Sequence, residues 1–184
     1  MKKLSLLLSA LVILTAPLAA QERPKVSEKP YGMMQKLAPL AGEWSMVNEY
    51  SPDGGKTWSK APPATVTVEY RLKGMLLSEM PEDLNTPGFK LETDLTFDQY
   101  RNVYRKAVVD DTWGIMDVYE GTFEGDKLVM TNLKSGTTFP MGNGVQRAFR
   151  LTIEVTTPKR MMTIDASDDG GETWIPAYKL TYTK

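Results

Sequence analysis

The groups of this sequence that could move a proton are carboxylates, lysines and tyrosines, because the chain has no histidine and no cysteine. That composition excludes Ser-His-Asp arrangements, Cys nucleophiles, thiolate and imidazole metal sites, His-ligated haem and disulfides. Two acidic pairs stand out: Asp110-Asp111, shortly before Trp113, and Glu82-Asp83, in a stretch flanked by Pro81 and Pro87. Adjacent residues on a strand point to opposite faces, so neither pair can act from one side of a sheet. Both read as solvated turn carboxylates. Arg105 and Asp117 are different. Arg105 shares strand parity with Val103, Ala107 and Val109, and Asp117 with Trp113, Ile115, Tyr119 and Phe123. If those faces point inward, both charges enter an interior, where a charge persists only when paired or hydrogen-bonded. They then form an internal ion pair or a polar anchor for a ligand. A bulge would turn them outward instead.

The other candidates are apolar. The chain has 11 Met, a side chain that conforms to irregular apolar shapes. Together with Trp44, Tyr70, Trp113 and Tyr119 they make either a soft cavity lining or plain core. The candidate ligand-binding set is therefore Trp44, Tyr70, Arg105, Trp113, Asp117 and Tyr119. No residue is assigned to catalysis. No Gly-rich phosphate loop precedes a helix, and no set of metal ligands has a recognised spacing, so no cofactor is expected. Lys+Arg is 22 against Asp+Glu 23, a net charge of -1, which lacks the basic surplus of a nucleic-acid binder. Arg147, Arg150, Lys159 and Arg160 form a modest basic cluster, read as a solvated face.

These residues need elements to position them. Tyr31, Met34, Leu37 and Leu40 recur at spacings of three, which predicts a short α or 3₁₀ helix that Pro39 keeps from running far. Beyond Gly42 the period becomes two. Ala64 to Leu72, Phe89 to Asp98, Phe149 to Thr156 and Trp174 to Tyr182 each alternate apolar with polar residues. That is the pattern of antiparallel strands covered on one side. Turn signals separate the runs, among them Pro52-Asp53-Gly54-Gly55, Glu124-Gly125-Asp126 and Asp169-Gly170-Gly171. The expectation is an all-β fold of about eight to ten strands at hairpin spacing. No crossover helix is visible, so the strands are antiparallel. An up-and-down barrel, which removes the sheet edges, is preferred to a sandwich.

The first segment reads as an address. Lys2 and Lys3 precede an apolar run from Leu4, Pro17 breaks it, and Ala19 and Ala20 are small enough for a signal peptidase. The run is shorter than the roughly 20 residues that span a bilayer. The expected organisation is a cleaved signal over 1–20, a flexible lead over 21–30 and a barrel domain over 31–184. The product would be periplasmic or secreted, bacterial in type, with no membrane span after cleavage.

Ser51-Pro52-Asp53-Gly54-Gly55-Lys56-Thr57-Trp58 fits S-x-D-x-G-x-T-W, and Ser167 to Trp174 fits it again. This resembles the Asp-box of sialidases, a turn in which Asp accepts backbone N–H groups and Gly supplies positive φ. A six-bladed propeller at about 40–50 residues per blade would need more chain than this, so the motif is read as a turn device only. Calcium binding by Asp168, Asp169 and Glu172 is a weaker alternative, because their spacing is not that of an EF-hand loop. Leu37 to Trp44 reads LAPLAGEW, a helix end followed by G-x-W, which resembles the start of lipocalins and other calycins. The resemblance implies that Trp44 closes one barrel end and that a basic residue of the last strand, here Lys179, packs across it. A broader resemblance rests on Leu95 to Tyr104, LTFDQYRNVY, and on Glu120 to Leu128, EGTFEGDKL. These are similar to motifs of the bacterial family called domain of unknown function 1579, with Phe97 where that family often has Tyr. It implies a lipocalin-like barrel and brings no activity. Nitrobindin-type relatives hold haem through a His that this chain lacks.

The leading expectation is a non-enzymatic binder of a small apolar or amphipathic molecule inside the barrel. The alternatives are a protein-interaction module, using the Asp-box hairpins or the Thr131 to Asn143 loop, and an enzyme using Arg105, Asp117 and a Tyr.

Overall fold

The computed structural model describes residues 27–81 and 90–184. The leader over 1–20, most of the lead over 21–30, Glu82-Asp83, Pro87-Gly88 and Phe89 lie outside the described residues.

Among the described residues twelve strands form one antiparallel sheet. They are β1 (Gly42–Tyr50), β2 (Ser59–Lys60), β3 (Ala64–Arg71), β4 (Leu76–Pro81), β5 (Leu91–Asp98), β6 (Val103–Asp110), β7 (Met116–Glu124), β8 (Lys127–Thr131), β9 (Phe139–Gly142), β10 (Val145–Glu154), β11 (Lys159–Ser167) and β12 (Ile175–Thr183). The order is β11-β12-β1-β3-β4-β5-β6-β7-β8-β10-β9, and β10 also pairs with β11. That last pairing closes ten strands into a barrel, leaving β2 and β9 as appendages. The first and last strands of the ring meet directly, with Ser45 opposite Thr183 and Tyr50 opposite Tyr178. Every backbone edge of the ring is thereby paired, which is the physical gain of closure.

The alternation in β3, β5, β10 and β12 sends its apolar side inward. Val66, Val68, Leu95, Phe97, Leu151, Ile153, Leu180 and Tyr182 are buried in one core. Strand β6 is inverted relative to the parity expected for it. Tyr104 and Lys106 are buried, while Arg105 between them is half-exposed beside Asp98. Hydropathy misleads here because the inward set contains a lysine. In β7 the inward set is as expected, with Asp117 and Tyr119 buried. Trp113 belongs to the preceding turn and is 68% exposed. The Thr131 to Asn143 loop contains β9, a short hairpin partner of β10.

One barrel end is plugged by α1 (Glu28–Gln35) and a single 3₁₀ turn, Ala38–Leu40. Met34, Leu37 and Leu40 are buried, and Tyr31 stays at the rim. The helix starts inside the stretch read as a flexible lead, because Pro30 falls in its first turn, where a missing N–H leaves nothing unpaired. Two inward tyrosines hold the plug. Tyr70 Oη donates to the Met34 carbonyl (2.6 Å), and Tyr104 Oη to the Met33 carbonyl (2.8 Å).

The two Asp-boxes close hairpins at the other end. Ser51 Oγ accepts from the Gly55 N–H (2.6 Å), and Asp53 accepts from the Thr57 N–H (2.8 Å) and hydroxyl (2.7 Å). Ser167 and Asp169 repeat this on Gly171 (2.8 Å) and Thr173 (2.9 Å). Gly55 and Gly171, the fixed glycine of the motif in its two copies, have φ of 93° and 92° and lie against Pro176 and Leu133, so both conformation and space call for glycine there.

Candidate functional site

The barrel interior holds a polar group that no single stretch of sequence announces. Glu79 of β4, Thr93 of β5, Lys106 of β6, Arg160 of β11 and Tyr182 of β12 all occupy inward positions, as their register with Val68, Val108, Leu95 and Met46 requires. Arg160 Nη2 donates to Glu79 Oε2 (3.3 Å), and Tyr182 Oη donates to Glu79 Oε1 (2.9 Å). Lys106 Nζ donates to the Thr93 hydroxyl. Arg160 is 3% exposed and Lys106 6%. The arginine Nε, itself buried, has no hydrogen-bond partner among the described residues.

Between these groups lies a cavity of about 20 Å³, room for roughly one water. Its polar wall is Glu79, Thr93, Lys106 and Arg160, and its apolar wall includes Leu77, Leu95 and Met162. Burial pulls the Lys106 ammonium below the ordinary lysine range, opposed by the charge of Glu79. Burial, with Glu79 as the next cause, pushes the Tyr182 phenol well above the ordinary tyrosine range.

Arg160 also bridges the site to the plugged end. Its guanidinium lies 3.6 Å from the Tyr182 ring centroid and 5.0 Å from that of Trp44. Trp44 is buried and donates its indole N–H to the Leu40 carbonyl (2.8 Å). Lys184, one residue beyond β12, covers Trp44 at 4.6 Å and donates to the Ala41 carbonyl (3.0 Å). The basic residue that crosses the tryptophan is thus Lys184, with Arg160 beside it. Lys179 faces outward and lies over Trp58 at 3.8 Å.

Of the six residues proposed from the sequence, Trp44, Tyr70, Asp117 and Tyr119 occupy inward positions. Arg105 and Trp113 do not. Arg105 and Asp117 lie on opposite faces of the barrel wall and form neither an ion pair nor a common site. Asp117 instead anchors the segment after β8. Its carboxylate accepts from Asn132 Nδ2 (3.1 and 3.2 Å) and from Thr137 Oγ1 (2.5 Å). Burial, and the adjacent Asp117 charge, push the Tyr119 phenol well up. Tyr70 is occupied with α1.

The other candidates resolve locally. Asp110 accepts N–H bonds from Thr112 (2.8 Å), Trp113 and Ile115 (3.1 Å), and these hold its carboxyl below the usual range. The basic cluster is split. Arg147 pairs with Asp168 (2.7 Å), Arg150 pairs with Asp165 (2.9 Å), and Arg160 enters the barrel. A shallow outer groove of about 430 Å³ runs past Lys127, Val129, Arg150 and Trp174. Its cations already have carboxylate partners, Glu154 for Lys127 and Asp165 for Arg150.

Sequence reading missed Glu79 and Lys106 and put Arg160 on the surface. The available signal was the i, i+2 set Tyr104, Lys106 and Val108, which competes with Val103, Ala107 and Val109 on the same strand.

The family described as Protein of unknown function (DUF1579) matches residues 29–184. No curated protein matches the chain.

Proposed function

The chain belongs to the DUF1579 family, and on that footing we propose that its lipocalin-like barrel is a cup that holds one small amphipathic molecule. One observation supports this reading most strongly. Inward-facing side chains are sealed near α1, and several become partly exposed toward the opposite end, where Asp117 and Asn132 stay buried. Trp44, Tyr104 and Tyr182 are buried, whereas Met46, Val108, Phe149, Ile164 and Tyr178 are only partly so, and Tyr50 is 45% exposed. A closed ring with one plugged end and apolar walls at the other has the form of a ligand cup. Asn48, on the same face as Trp44 and Met46, adds a buried carbonyl oxygen without a partner among the described residues. No helix among the described residues is long and apolar enough to cross a membrane.

Native mass spectrometry of the protein isolated from its source cells tests the proposal. The expected result is an excess mass of one small molecule per chain, released on denaturation. A bare chain, together with no saturable fluorescence from 1-anilinonaphthalene-8-sulfonate, would overturn it. The reading includes export: the N-terminal sequence of the cellular protein is expected to begin at Gln21, and a chain retaining Met1 would contradict that.

A further inference from the structure

The plugged end of the barrel carries apolar side chains that the fold does not use. Tyr100 is 90% exposed, Leu72 71% and Tyr31 43%. Tyr100 lies in the β5–β6 turn, Leu72 in the β3–β4 turn and Tyr31 on α1. The strand order puts the two turns two strand spacings apart, about 10 Å. Between them the Thr96 hydroxyl of β5 donates to the Met75 carbonyl (2.7 Å). Helix α1 lies against both turns. A Cβ on Gly74 would stand 3.0 Å from the Tyr31 ring, and the Ser27 hydroxyl donates to Gln99 Oε1 (3.1 Å). The three side chains therefore share one patch.

The backbone holds Leu72 outward. Leu72, Lys73 and Gly74 have φ of 48°, 58° and 85°, three left-handed residues in succession. Glycine takes that conformation freely and asparagine tolerates it, but leucine is disfavoured there. A leucine that is both strained and exposed gains little from folding, so its apolar side chain is free to serve a contact outside the chain.

Positive charge surrounds these tips. Lys29, Lys36, Arg71 and Lys73 are exposed and form no ion pair among the described residues. Arg101 is also exposed and pairs with Asp98 (2.8 Å). The other carboxylate of α1 and the two turns is Glu28, which leaves four unpaired cations against one anion. Glu69, further back along β3, does not change the sign. The chain as a whole has a net charge of -1, so this surplus belongs to the plugged end and runs against the rest of the molecule. A stable protein interface buries about 800 Å² per partner around an apolar centre poor in charge, which three side chains on separate supports among lysines do not supply. A bilayer requires no continuous apolar face. Single apolar tips enter between its headgroups while cations meet the phosphates.

We propose that the α1 end of the barrel docks on an anionic phospholipid surface. Leu72 and Tyr100 enter the headgroup region, and Lys29, Lys36, Arg71 and Lys73 meet the phosphates. The opposite end then faces away from the bilayer. The docking does not depend on the barrel holding a ligand.

Co-sedimentation with vesicles tests it, using protein purified from its source cells and variants made in the same cells. Vesicles of equimolar phosphatidylcholine and phosphatidylglycerol are compared with phosphatidylcholine alone. Binding to the mixed vesicles is expected to be at least about tenfold stronger, and to weaken as salt is raised. Leu72→Asn combined with Tyr100→Ser removes both tips and is expected to lower that binding about tenfold. Asparagine suits the left-handed backbone, so the turn survives the change. Lys36→Glu combined with Lys73→Glu is expected to abolish the preference for the anionic lipid. Met141→Ser, at an exposed position of the opposite end, keeps wild-type binding. Equal binding to the two kinds of vesicle, binding to neither, or undiminished binding by the Leu72→Asn, Tyr100→Ser variant would overturn the proposal.

Discussion

Lys106 is the residue whose behaviour reports most directly on the interior. It donates to Thr93, stands opposite Tyr119 and feels the charges of Glu79, Arg160 and Asp94, and burial is the largest influence on it. Its folded pKa lies below its ordinary value of 10.5, so between those two values the unfolded chain binds more protons than the folded one. Stability therefore rises as pH climbs through the folded pKa toward 10.5. The buried phenols of Tyr182 and Tyr119 act the other way. Their folded pKa values are raised above 10.0, so their contribution is complete below that pH and is lost above it. Urea midpoints measured from neutrality upward should rise, then fall past about pH 10. In Lys106→Met the rise should vanish while the fall remains. An unchanged rise in the variant would show that Lys106 is not the buried cation. This residue was also the hardest to read from sequence. A lysine counts as polar in any alternation, so its inward side chain inverted the parity of the whole strand and put Arg105 inside in its place.

Elements were more legible than residues, because a strand of eight to ten residues repeats its signal several times. The patterns of β3, β5, β10 and β12 each had several apolar residues of one parity, and one exception did not disturb them. Strand β7 carries a different constraint. A Cβ built on Gly121 would lie 1.8 Å from the Val129 carbonyl oxygen on β8, so the two strands could not keep their spacing. Gly121→Ala is expected to cost about 3 kcal/mol in chemical denaturation. A cost under about 0.5 kcal/mol would mean that the β7–β8 contact is looser than described. The Asp-box hairpins were legible down to their hydrogen bonds, since a local motif needs no tertiary partner. The Thr173 hydroxyl and N–H hold the Asp169 carboxyl well below the ordinary range, and Thr57 does the same for Asp53. Because those pKa values are depressed, the contribution is present above the ordinary carboxylate value of 3.8 and fades as pH falls below it. Asp169→Asn should melt at a lower temperature near neutrality and lose less on acidification than the wild type. An equal acid loss in both would place the sensitivity elsewhere.

At the scale of the molecule, closure decides both fold and site. Period-two patterning and the absence of crossover helices were enough to expect a closed antiparallel sheet, and the β10–β11 and β1–β12 pairings complete it. The polar group was not legible at this scale, because its members come from five strands spread from Glu79 to Tyr182. Only the ring brings them together. Arg160 pairs with Glu79 across the interior rather than along a hairpin, so each strand supplies one residue that looks incidental on its own. The same ring places Met46 and Met162 inside and leaves Met116 and Met141 exposed, 60% and 50% respectively. Those four methyl groups distinguish an internal ligand from one on the outer surface. Methionine-methyl NMR during titration with 1-anilinonaphthalene-8-sulfonate is the most direct test. Shifts and intermolecular NOEs at Met46 and Met162, saturating at one molecule per chain, are the predicted result. Shifts confined to Met116 and Met141, with the interior pair unmoved, would contradict it.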